Sequence, residues 1–528
     1  MLSRDLEDRP HRRTASTSLR LSLSAGLALA SLSGLASGQT DLAEVGALHA
    51  PAAEHILQSE LADLVDQGMQ LEAFLRAFDH GDELFEFEYN ALDGGGANVG
   101  NGERWTRMPR ADRNGPGEWA NHVPMRATGP NGNSCVQCHF QPVADGAGLP
   151  SSNVHRDPFH TGDVGQMIQR QTPHVHGSAA LQLLAEEMTR ELSDIRDRAL
   201  KRAHHTKRPV IVRLRSKGVD FGRIRVRPDG HVNLSQVEGL DGDLVVKPFQ
   251  WKGNFLTMRD FNNDATHNEL GMQGVEIAGD GIDGDYDGVV DELTIGDLTA
   301  LTIYLAAQPR PTSLSELGMY GLAPERSPAE LAKIEDGKVA FDAAGCAHCH
   351  VPAMTLENTV FTEPSQHPAY RRDVLPAGQV AADRDLDPAR AVSFDITTDL
   401  PDNIVEDDMG NELAHLGVFE TDAYGNAIVR LYGDLKRHDM GPGLAEDIDE
   451  TGSGASVFLT ENLWGVGGTA PYLHDGRATT ITEAIQWHGG EAAKSRHAFQ
   501  YLLTDYEREA LVAFLEDLTL ALFPEEEE

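Results

Sequence analysis

The segment GCAHCHVP at residues 345–352 places two cysteines and two histidines within five positions. A second segment, CVQCH at residues 135–139, repeats its pattern of Cys-x-x-Cys-His. The chain of 528 residues contains four cysteines, and these two segments hold all of them. This repeated pattern is therefore the starting point for predicting both the fold and the chemistry.

Three kinds of site use closely spaced cysteine and histidine: a zinc ion, a redox-active disulfide and a covalently attached haem. A zinc ion shared by both pairs would leave the adjoining histidines without a role. A thioredoxin-like pair needs a β-α-β context and would not recur with the same trailing histidine. In haem c, two cysteines about one helical turn apart form thioethers with the porphyrin, and the next histidine lies under the iron. We therefore predict two covalently bound haem c groups, with zinc and a redox pair as the alternatives.

This prediction assigns a role to each residue of the two motifs. The residues predicted to bind haem are Cys135, Cys138 and His139 for the first group and Cys346, Cys349 and His350 for the second. In each motif the histidine is the predicted proximal ligand of the iron. His348 is then a spacer residue that faces away.

The overall charge restricts the partners of the protein. The formal net charge is −39 at pH 7, with a pI near 4.8. Nucleic acid phosphates are neutralised by lysine and arginine, so this charge argues against nucleic acid. An acidic surface fits either a solvated exterior or a partner of basic charge.

The N-terminus predicts export. Arginines at positions 9, 12, 13 and 20 precede a short apolar stretch diluted by serine, and small residues follow near Gly38. This order is typical of a signal peptide, which we place at residues 1–38. The stretch is too short and polar for a stable membrane span, and no other segment is apolar enough, so we expect a periplasmic protein without a span in its mature chain.

The rest of the chain predicts a mainly α fold with two cytochrome c-like domains, at 39–310 and 325–528, joined by a Pro-rich linker. Apolar residues recur at helical spacing over 54–78 and 177–205. Alternating residues and a PDG turn predict a small β-hairpin insertion at about 206–250. Residues 365–440 form a long insertion with few core signals.

A capping box predicts the helix that leads into the second motif. Ser327 stands at the N-cap, Pro328 at the first helical position and Glu330 three residues after the cap. A helix that ends beside Cys346 is how a cytochrome c domain begins.

Three further stretches carry a family resemblance. LYGDLKRHDMGPGLAE, LWGVGGTAPYLHDGRATTITEAIQWHGGEA and PFQWKGNFLTMRDFNNDATHNELGMQ resemble the di-haem oxidoreductases related to bacterial di-haem cytochrome c peroxidases and MauG-type enzymes. The resemblance covers roughly residues 80–520. It implies a peroxidatic haem in the N-terminal domain and an electron-transfer haem in the C-terminal domain.

The resemblance also implies the second haem's distal ligand. The family places this ligand on the helix after PYLHDG, as methionine in peroxidases and tyrosine in MauG-type enzymes. The matching residue here is His488, with Met440 in reserve; the alternative is a helix-end histidine bonded to a carbonyl. Ligation by two histidines lowers the potential relative to methionine ligation. His474 is expected beside the second haem as a hydrogen-bonding residue.

Two catalytic residues follow from the same resemblance. Trp251 matches the tryptophan that the family places between its haems, with a plain core tryptophan as the alternative. Glu269 matches the family's catalytic acid, which exchanges a proton with peroxide; the alternative is a surface glutamate. For the first haem's distal side, the candidates are His155, His160, His174 and His176, or none of them, and His155 has the family's spacing.

The segment DGDYDGVVDELT at residues 283–294 resembles an EF-hand loop. Oxygen ligands at positions 1, 3, 5 and 7 would come from Asp283, Asp285, Asp287 and the carbonyl of Val289. Position 12 is Thr294, where the motif expects a bidentate glutamate. We predict a weak calcium site here, with an acidic turn as the alternative.

Together these features predict an exported di-haem c oxidoreductase that reduces hydrogen peroxide. A small redox protein or another donor would supply electrons to the second haem, which relays them to the first. The alternatives are an electron-transfer protein without catalysis and a haem-dependent oxidase of another substrate.

Overall fold

The computed structural model describes residues 52–90, 92–95, 131–156, 166–284, 288–406 and 412–520. All of them fall within one compact unit that spans residues 49–528. The predicted signal peptide at 1–38 lies outside the described residues. Among the helices that the structure describes, none has the length and the apolar character needed to cross a bilayer.

The helices are α1 Gln58–Asp66, α2 Gln70–Glu86, α3 Ser178–Thr206, α4 Met258–Ala265, α5 Val275–Ala278, α6 Ile295–Ala306, α7 Leu314–Met319, α8 Pro328–Ala343, α9 Ile481–Trp487, α10 Ala493–Tyr501 and α11 Asp505–Asp517. The strands are β1 Val154–Arg156, β2 Ile168–Arg170, β3 Val210–Ser216, β4 Val219–Val226, β5 Val232–Val237, β6 Thr312–Ser313, β7 Met354–Leu356, β8 Val360–Glu363, β9 Val392–Asp395, β10 Ile404–Glu406, β11 Glu412–His415, β12 Ala427–Val429, β13 Arg437–Asp439, β14 Val457–Leu459 and β15 Leu518–Thr519. The described residues are 39% helical and 15% strand. The fold is therefore mixed, and the prediction of a mainly α fold understated its strands.

The helix boundaries follow local signals in the sequence. Ser327 accepts a hydrogen bond from the backbone of Glu330 and Glu330 bonds back to it, so the predicted capping box is present at the start of α8. The single helix expected over 54–78 is instead two helices, α1 and α2. Gly68 lies between them with a φ of +75°, a left-handed conformation that ends a helix.

The insertion predicted at about 206–250 is a three-stranded antiparallel sheet, not a two-stranded hairpin. Its strand order is β3-β4-β5, and β4 is the central strand. The predicted PDG turn at residues 228–230 connects β4 to β5, and the feature that was missed is the turn at Lys217 and Gly218, which divides the preceding run into β3 and β4. The sheet packs on α3 through β3.

Two hydrophobic cores position the functional region. The larger core joins Phe78, Leu184 and Ile303 to residues of the later insertion such as Phe394 and Leu431. Residues 365–440 thus contribute to the core, contrary to the expectation of few core signals there. They do so through short paired strands, each too brief to show a period.

The smaller core surrounds the second motif. It is built where α8 packs against α11, with Phe341 and Phe514 in T-shaped contact at 5.6 Å between ring centroids. The larger core contains residues from both sides of the predicted linker, and the division into two domains stays a prediction.

Candidate functional site

Each Cys-x-x-Cys-His motif lines its own cavity. The first cavity has a volume of about 1410 Å³ and is lined by Cys135, Cys138 and His139. The second has about 2150 Å³ and is lined by the matching residues of the second motif. Both volumes include space open to solvent. Because the two cysteine pairs line different cavities, one zinc ion bound by all four cysteines is excluded.

The two motifs fold alike. Each pair of cysteines spans a short 3₁₀ turn, Cys135–Gln137 or Cys346–His348. The backbone NH of the motif histidine then donates to the carbonyl of the first cysteine, at 3.1 Å in the first motif and 3.0 Å in the second. In the second motif Gly345 ends α8 with a φ of +80°, which turns the chain sharply into the cysteines.

The cysteines are not set up as a reactive redox pair. All four are free and partly buried. Burial raises the pKa of Cys135 to about 12 and that of Cys346 to about 11. Thiol-disulfide chemistry depends on a lowered thiol pKa, so these environments disfavour the thioredoxin-like alternative.

The motif histidines are held as neutral imidazoles. His139 donates from Nδ1 to the carbonyl of Gly146 at 3.1 Å, and His350 donates from Nδ1 to that of Tyr432 at 3.0 Å. Burial lowers the pKa of each to about 4. A neutral imidazole whose Nδ1 carries the proton presents the lone pair of Nε2, which is the form that a metal binds.

Opposite His350, the second cavity presents His488. The ring centroids lie 6.4 Å apart. Two imidazoles on opposite sides of one metal, at about 2 Å per metal–nitrogen bond, have centroids separated by about 6.4 Å. His488, at the end of α9, donates from Nδ1 to the carbonyl of Ala484 at 2.8 Å, and burial lowers its pKa. The pair therefore fits two axial ligands of one iron.

Two other residues predicted near the second haem line the same cavity. Met440 follows β13 and faces this space. His474 stacks on Phe458 with ring centroids 4.4 Å apart, and burial lowers its pKa to about 4. Its Nε2 lies 3.8 Å from a carboxylate oxygen of Glu446. Since its ring lies flat against Phe458, His474 forms part of the cavity wall.

Trp251 lies between the cavities and lines both of them. Its indole NH donates to the carbonyl of Gln171 at 2.9 Å, and Gln171 also lines both spaces. Glu461, Asn462 and His174 also belong to this shared wall, together with Thr172 and Pro173. An aromatic ring fixed by a hydrogen bond thus stands where the two cavities meet.

Glu269 lines the first cavity alone. It belongs to a π-helical turn, Thr266–Leu270, that continues α4. Its Oε2 accepts a hydrogen bond of 2.6 Å from Nδ2 of Asn131. The backbone NH groups of Asn131 and Gly132 also bond to its carbonyl, so this turn and the segment before the first motif hold each other in place.

The four candidate distal histidines of the first haem separate in space. His174 and His176 line the first cavity, whereas His155 is not among its lining residues and His160 lies outside the described residues. His174 donates from Nε2 to the carbonyl of Trp464 at 3.1 Å, and His176 donates from Nε2 to that of Ala144 at 3.3 Å. In both rings the buried Nδ1 has no hydrogen-bond partner among the described residues. Burial lowers their pKa values to about 3 and about 4.

The sequence missed two features. Glu461 is a half-buried residue in the shared wall, and burial of its carboxyl raises its pKa to about 7. His438 lines the second cavity with its two nitrogens bonded to Asp434 at 2.8 Å and Glu491 at 2.9 Å. Although burial opposes it, the bond to Asp434 raises the pKa of His438 well above its usual value. The sequence did not predict these environments. Glu491 is distant in the chain from His438, and the pairing with the nearby Asp434 follows no recognised motif.

The candidate calcium loop is described only in part. Oδ2 of Asp283 accepts a 3.1 Å bond from the backbone NH of Gly288, whereas Asp285 and Asp287 lie outside the described residues. Thr294, at position 12, caps α6 and donates from its hydroxyl to the carbonyl of Ile56 at 2.6 Å. Position 12 therefore has a structural role in the helix.

Residues 412–518 match a family model described as "Di-haem oxidoreductase, putative peroxidase". The match includes His488, Met440 and the PYLHDG segment, but neither haem motif. The predicted resemblance to the di-haem oxidoreductases is thereby confirmed over this stretch. The comparison with curated proteins finds no match.

Two solved structures are similar to the chain at low identity. Hydrazine synthase of Kuenenia stuttgartiensis shares 13% identity, with 95% of this chain and 100% of that chain covered and a TM-score of 0.31. A MauG-like protein associated with microbial copper homeostasis shares 16% identity, with 56% and 78% covered and a TM-score of 0.26. At these TM-scores neither likeness carries an argument about fold or function.

Proposed function

We propose that this chain is an exported di-haem c-type oxidoreductase that reduces hydrogen peroxide, with electrons passing from the second haem to the first. The relation to di-haem oxidoreductases gives the broad class. The single observation that carries the finer proposal is the asymmetry of two cavities that share the Trp251 wall. A carboxylate, Glu269, lines the first cavity alone, whereas a facing histidine, His488, lines the second.

The residues present fit two covalently bound haems. In the first cavity Cys135 and Cys138 would form the thioethers and His139 would bind the iron. In the second cavity Cys346 and Cys349 would do so with His350, and His488 would complete the coordination. A c-type haem supplies an iron that exchanges electrons and, where one axial position is open, accepts a small oxygen ligand.

In this proposal Glu269 moves the proton. A carboxylate that faces the first cavity can take a proton from a peroxide oxygen and return it to the leaving oxygen. The bond from Asn131 fixes the carboxylate's direction, which shortens the search for a productive position. Arg156 also lines this cavity and favours the ionised form of nearby acids.

Two further histidines of the first cavity, His174 and His176, bear on whether its iron would have an open position. Both His174 and His176 use Nε2 in a bond to a backbone carbonyl, so each would need to bind through Nδ1. This arrangement favours an open position, as a peroxidase requires. If either ring instead bound the iron through its unpaired Nδ1, the iron would be six-coordinate, as in the alternative of an electron carrier. A haem-dependent oxidase of another substrate would share the open position with a peroxidase.

Export to the periplasm, a small redox protein as electron donor and a calcium ion at residues 283–289 belong to the same proposal. The N-terminal segment supports export, the charge of −39 supports a donor of basic charge, and the run of aspartates supports calcium.

Haem content and one spectroscopic series test the proposal. Protein matured with a cytochrome c assembly system should give two c-type haems per chain by pyridine haemochrome. EPR spectra of the oxidised and half-reduced states should then show one low-spin centre with two histidine ligands and one centre that changes on adding peroxide. Zinc without haem would overturn the assignment. If half-reduced protein supplied with calcium leaves peroxide untouched, the electron-carrier alternative takes its place.

A further inference from the structure

One part of this acidic chain is strongly basic. Residues 198–227 contain eleven of the 44 lysines and arginines and a single acidic residue, Asp220. This segment comprises the end of α3 and the strands β3 and β4. None of it lines either cavity. The haem chemistry therefore gives no reason for its charge.

The strands present this charge on one face. Arg213 and Arg215 of β3 and Arg223 and Arg225 of β4 are exposed, and we call these four residues the basic face. The residues that alternate with them, such as Leu214 and Ile224, are fully buried, so the other side of the sheet belongs to the core.

The like charges of the basic face destabilise the sheet itself. Arg213 lies directly opposite Arg223, and like charges across a strand pair destabilise it. Arg213 is relieved by Asp220 at 3.0 Å and Arg223 by a bond to Gln236 at 2.8 Å. Within the described residues, the side chains of Arg215 and Arg225 have no hydrogen-bond or ion-pair partner. Two unpaired guanidinium groups on a flat face indicate a partner that supplies negative charge.

We propose that the basic face docks on the headgroups of an anionic lipid membrane. Its four cations are all arginine, whose planar fork binds phosphate through two hydrogen bonds. Opposite Arg225 lies Ile211, which is 61% exposed. An exposed isoleucine among arginines fits the headgroup boundary, where it reaches apolar chains while the cations hold phosphates. A strand face is broad and flat, as a membrane surface requires.

The net charge of the chain does not oppose this contact at physiological salt. Charges more than about 8–10 Å from the headgroups are largely screened there, so mainly the residues of the docked face interact with the membrane. Each arginine near an anionic leaflet strengthens binding about fivefold, which corresponds to about 1 kcal/mol. The proposal is independent of peroxide chemistry and would hold for an electron carrier equally.

Vesicle binding by the purified holoprotein tests it. Wild-type protein should float with vesicles of equal parts phosphatidylglycerol and phosphatidylcholine, and not with pure phosphatidylcholine. The variant with R213Q, R215Q, R223Q and R225Q should bind the anionic vesicles at least about 100-fold more weakly. A control variant loses the same charge elsewhere on the surface, through R76Q, K338Q, R430Q and R508Q. Its binding should match that of the wild type.

Two further measurements guard the interpretation. Haem absorption and thermal unfolding show that each variant is folded, and the single variant I211S should weaken binding by about fivefold, in line with loss of one buried apolar side chain. The proposal is overturned if the wild-type protein does not bind anionic vesicles at low salt, or if the two fourfold variants bind these vesicles with equal affinity. It is also overturned if the basic-face variant changes only self-association in sedimentation, which would identify a second copy of the acidic chain as the partner.

Discussion

The two cavities begin from the same five-residue pattern and differ in what faces it. In both, a neutral histidine is held by a bond from Nδ1 to a backbone carbonyl. In the second cavity the ring centroid of His488 lies 6.4 Å from that of His350, which is the separation expected for two ligands of one iron. The first cavity is lined instead by Glu269 and by two histidines whose Nε2 atoms are already bonded. In the proposed function the motif would hold the haem in each cavity, and the other lining residues would decide between electron transfer and peroxide chemistry.

The largest expected effect comes from Glu269. The variant Glu269→Gln keeps the shape of the side chain and its contact with Asn131 but removes the titratable group. Because general acid–base assistance is worth about 10²–10⁴-fold, peroxide turnover should slow by that factor. Steady-state peroxide consumption measures the effect, and both haems should stay attached with nearly unchanged reduced spectra.

The matched control for this variant is Glu491→Gln. Glu491 lines only the second cavity, so its loss should leave the peroxide step unchanged. If the Glu269 variant is as fast as wild type, the proton travels through another group and the functional contrast between the cavities must be drawn elsewhere.

The second prediction concerns the potential of the second haem. Replacing His488 by methionine should raise this potential by an amount on the order of 0.1 V, because a thioether ligand favours the reduced iron. A spectroscopic redox titration should show the shift in one haem only, together with an altered low-spin EPR signal. Met440→Leu serves as the control and should leave both potentials unchanged. The opposite result, with only Met440→Leu active, would transfer the ligand role to Met440.

The sequence predicted this site unevenly, and the reasons are physical. Cys-x-x-Cys-His is a local pattern, so the motifs could be identified without any fold. His488, Trp251 and Glu269 came from a family resemblance, and the structure brings each to the cavity that the prediction required. Their chemical roles stay predictions. Glu461 and His438 were not predicted, because the walls around Glu461 and the contact of His438 with Glu491 come from segments distant in the chain, and no recognised pattern marks the pairing of His438 with Asp434 four residues earlier.

The fold shows the same division between local and distant signals. The capping box at Ser327 and the long helix α3 depend on residues close together in the sequence, and both were predicted. Short strands such as β7 and β12 pair across more than seventy residues and carry no period of their own. The strand content and the core role of residues 365–440 were therefore missed.

A third prediction separates the cavities by pH. The loop that holds His139 contains Asp145, whose burial raises its pKa to about 7; Tyr304 donates to it at 2.9 Å. A carboxyl with a raised folded pKa stabilises the fold below its unfolded pKa near 4, and this contribution is lost as pH rises to about 7. Each unit of pKa difference corresponds to about 1.4 kcal/mol. The free energy of unfolding should therefore fall over this window.

Urea unfolding at several pH values checks this, with Asp145→Asn expected to flatten the curve. Asp229→Asn is the control, since Asp229 is an exposed carboxylate paired with Arg227. The second cavity should respond less, because the carboxylate of Asp434 in its loop, although buried, is bonded to His438 at 2.8 Å. Parallel curves for wild type and Asp145→Asn would show that another group titrates.

The smallest effect is expected from calcium, and it too should be confined to the first cavity. The loop at 283–289 precedes α6, whose Leu301 and Leu305 line that cavity. Because Thr294 is occupied in capping α6, the site lacks a bidentate ligand and should bind calcium only at about 10⁻⁴–10⁻³ M. Calcium at ten times the dissociation constant would then stabilise the protein by about 1.4 kcal/mol.

Chelation should lower the melting temperature slightly and broaden the signals of the first haem, without changing those of the second. Asp285→Ala should abolish this dependence, whereas Asp422→Ala, in a comparable turn elsewhere, should retain it. Differential scanning calorimetry with and without chelator measures the stability, and EPR separates the two haems. If titration calorimetry of chelator-treated protein detects no calcium binding, the aspartates form an acidic turn, and the difference between the cavities depends on their facing walls alone.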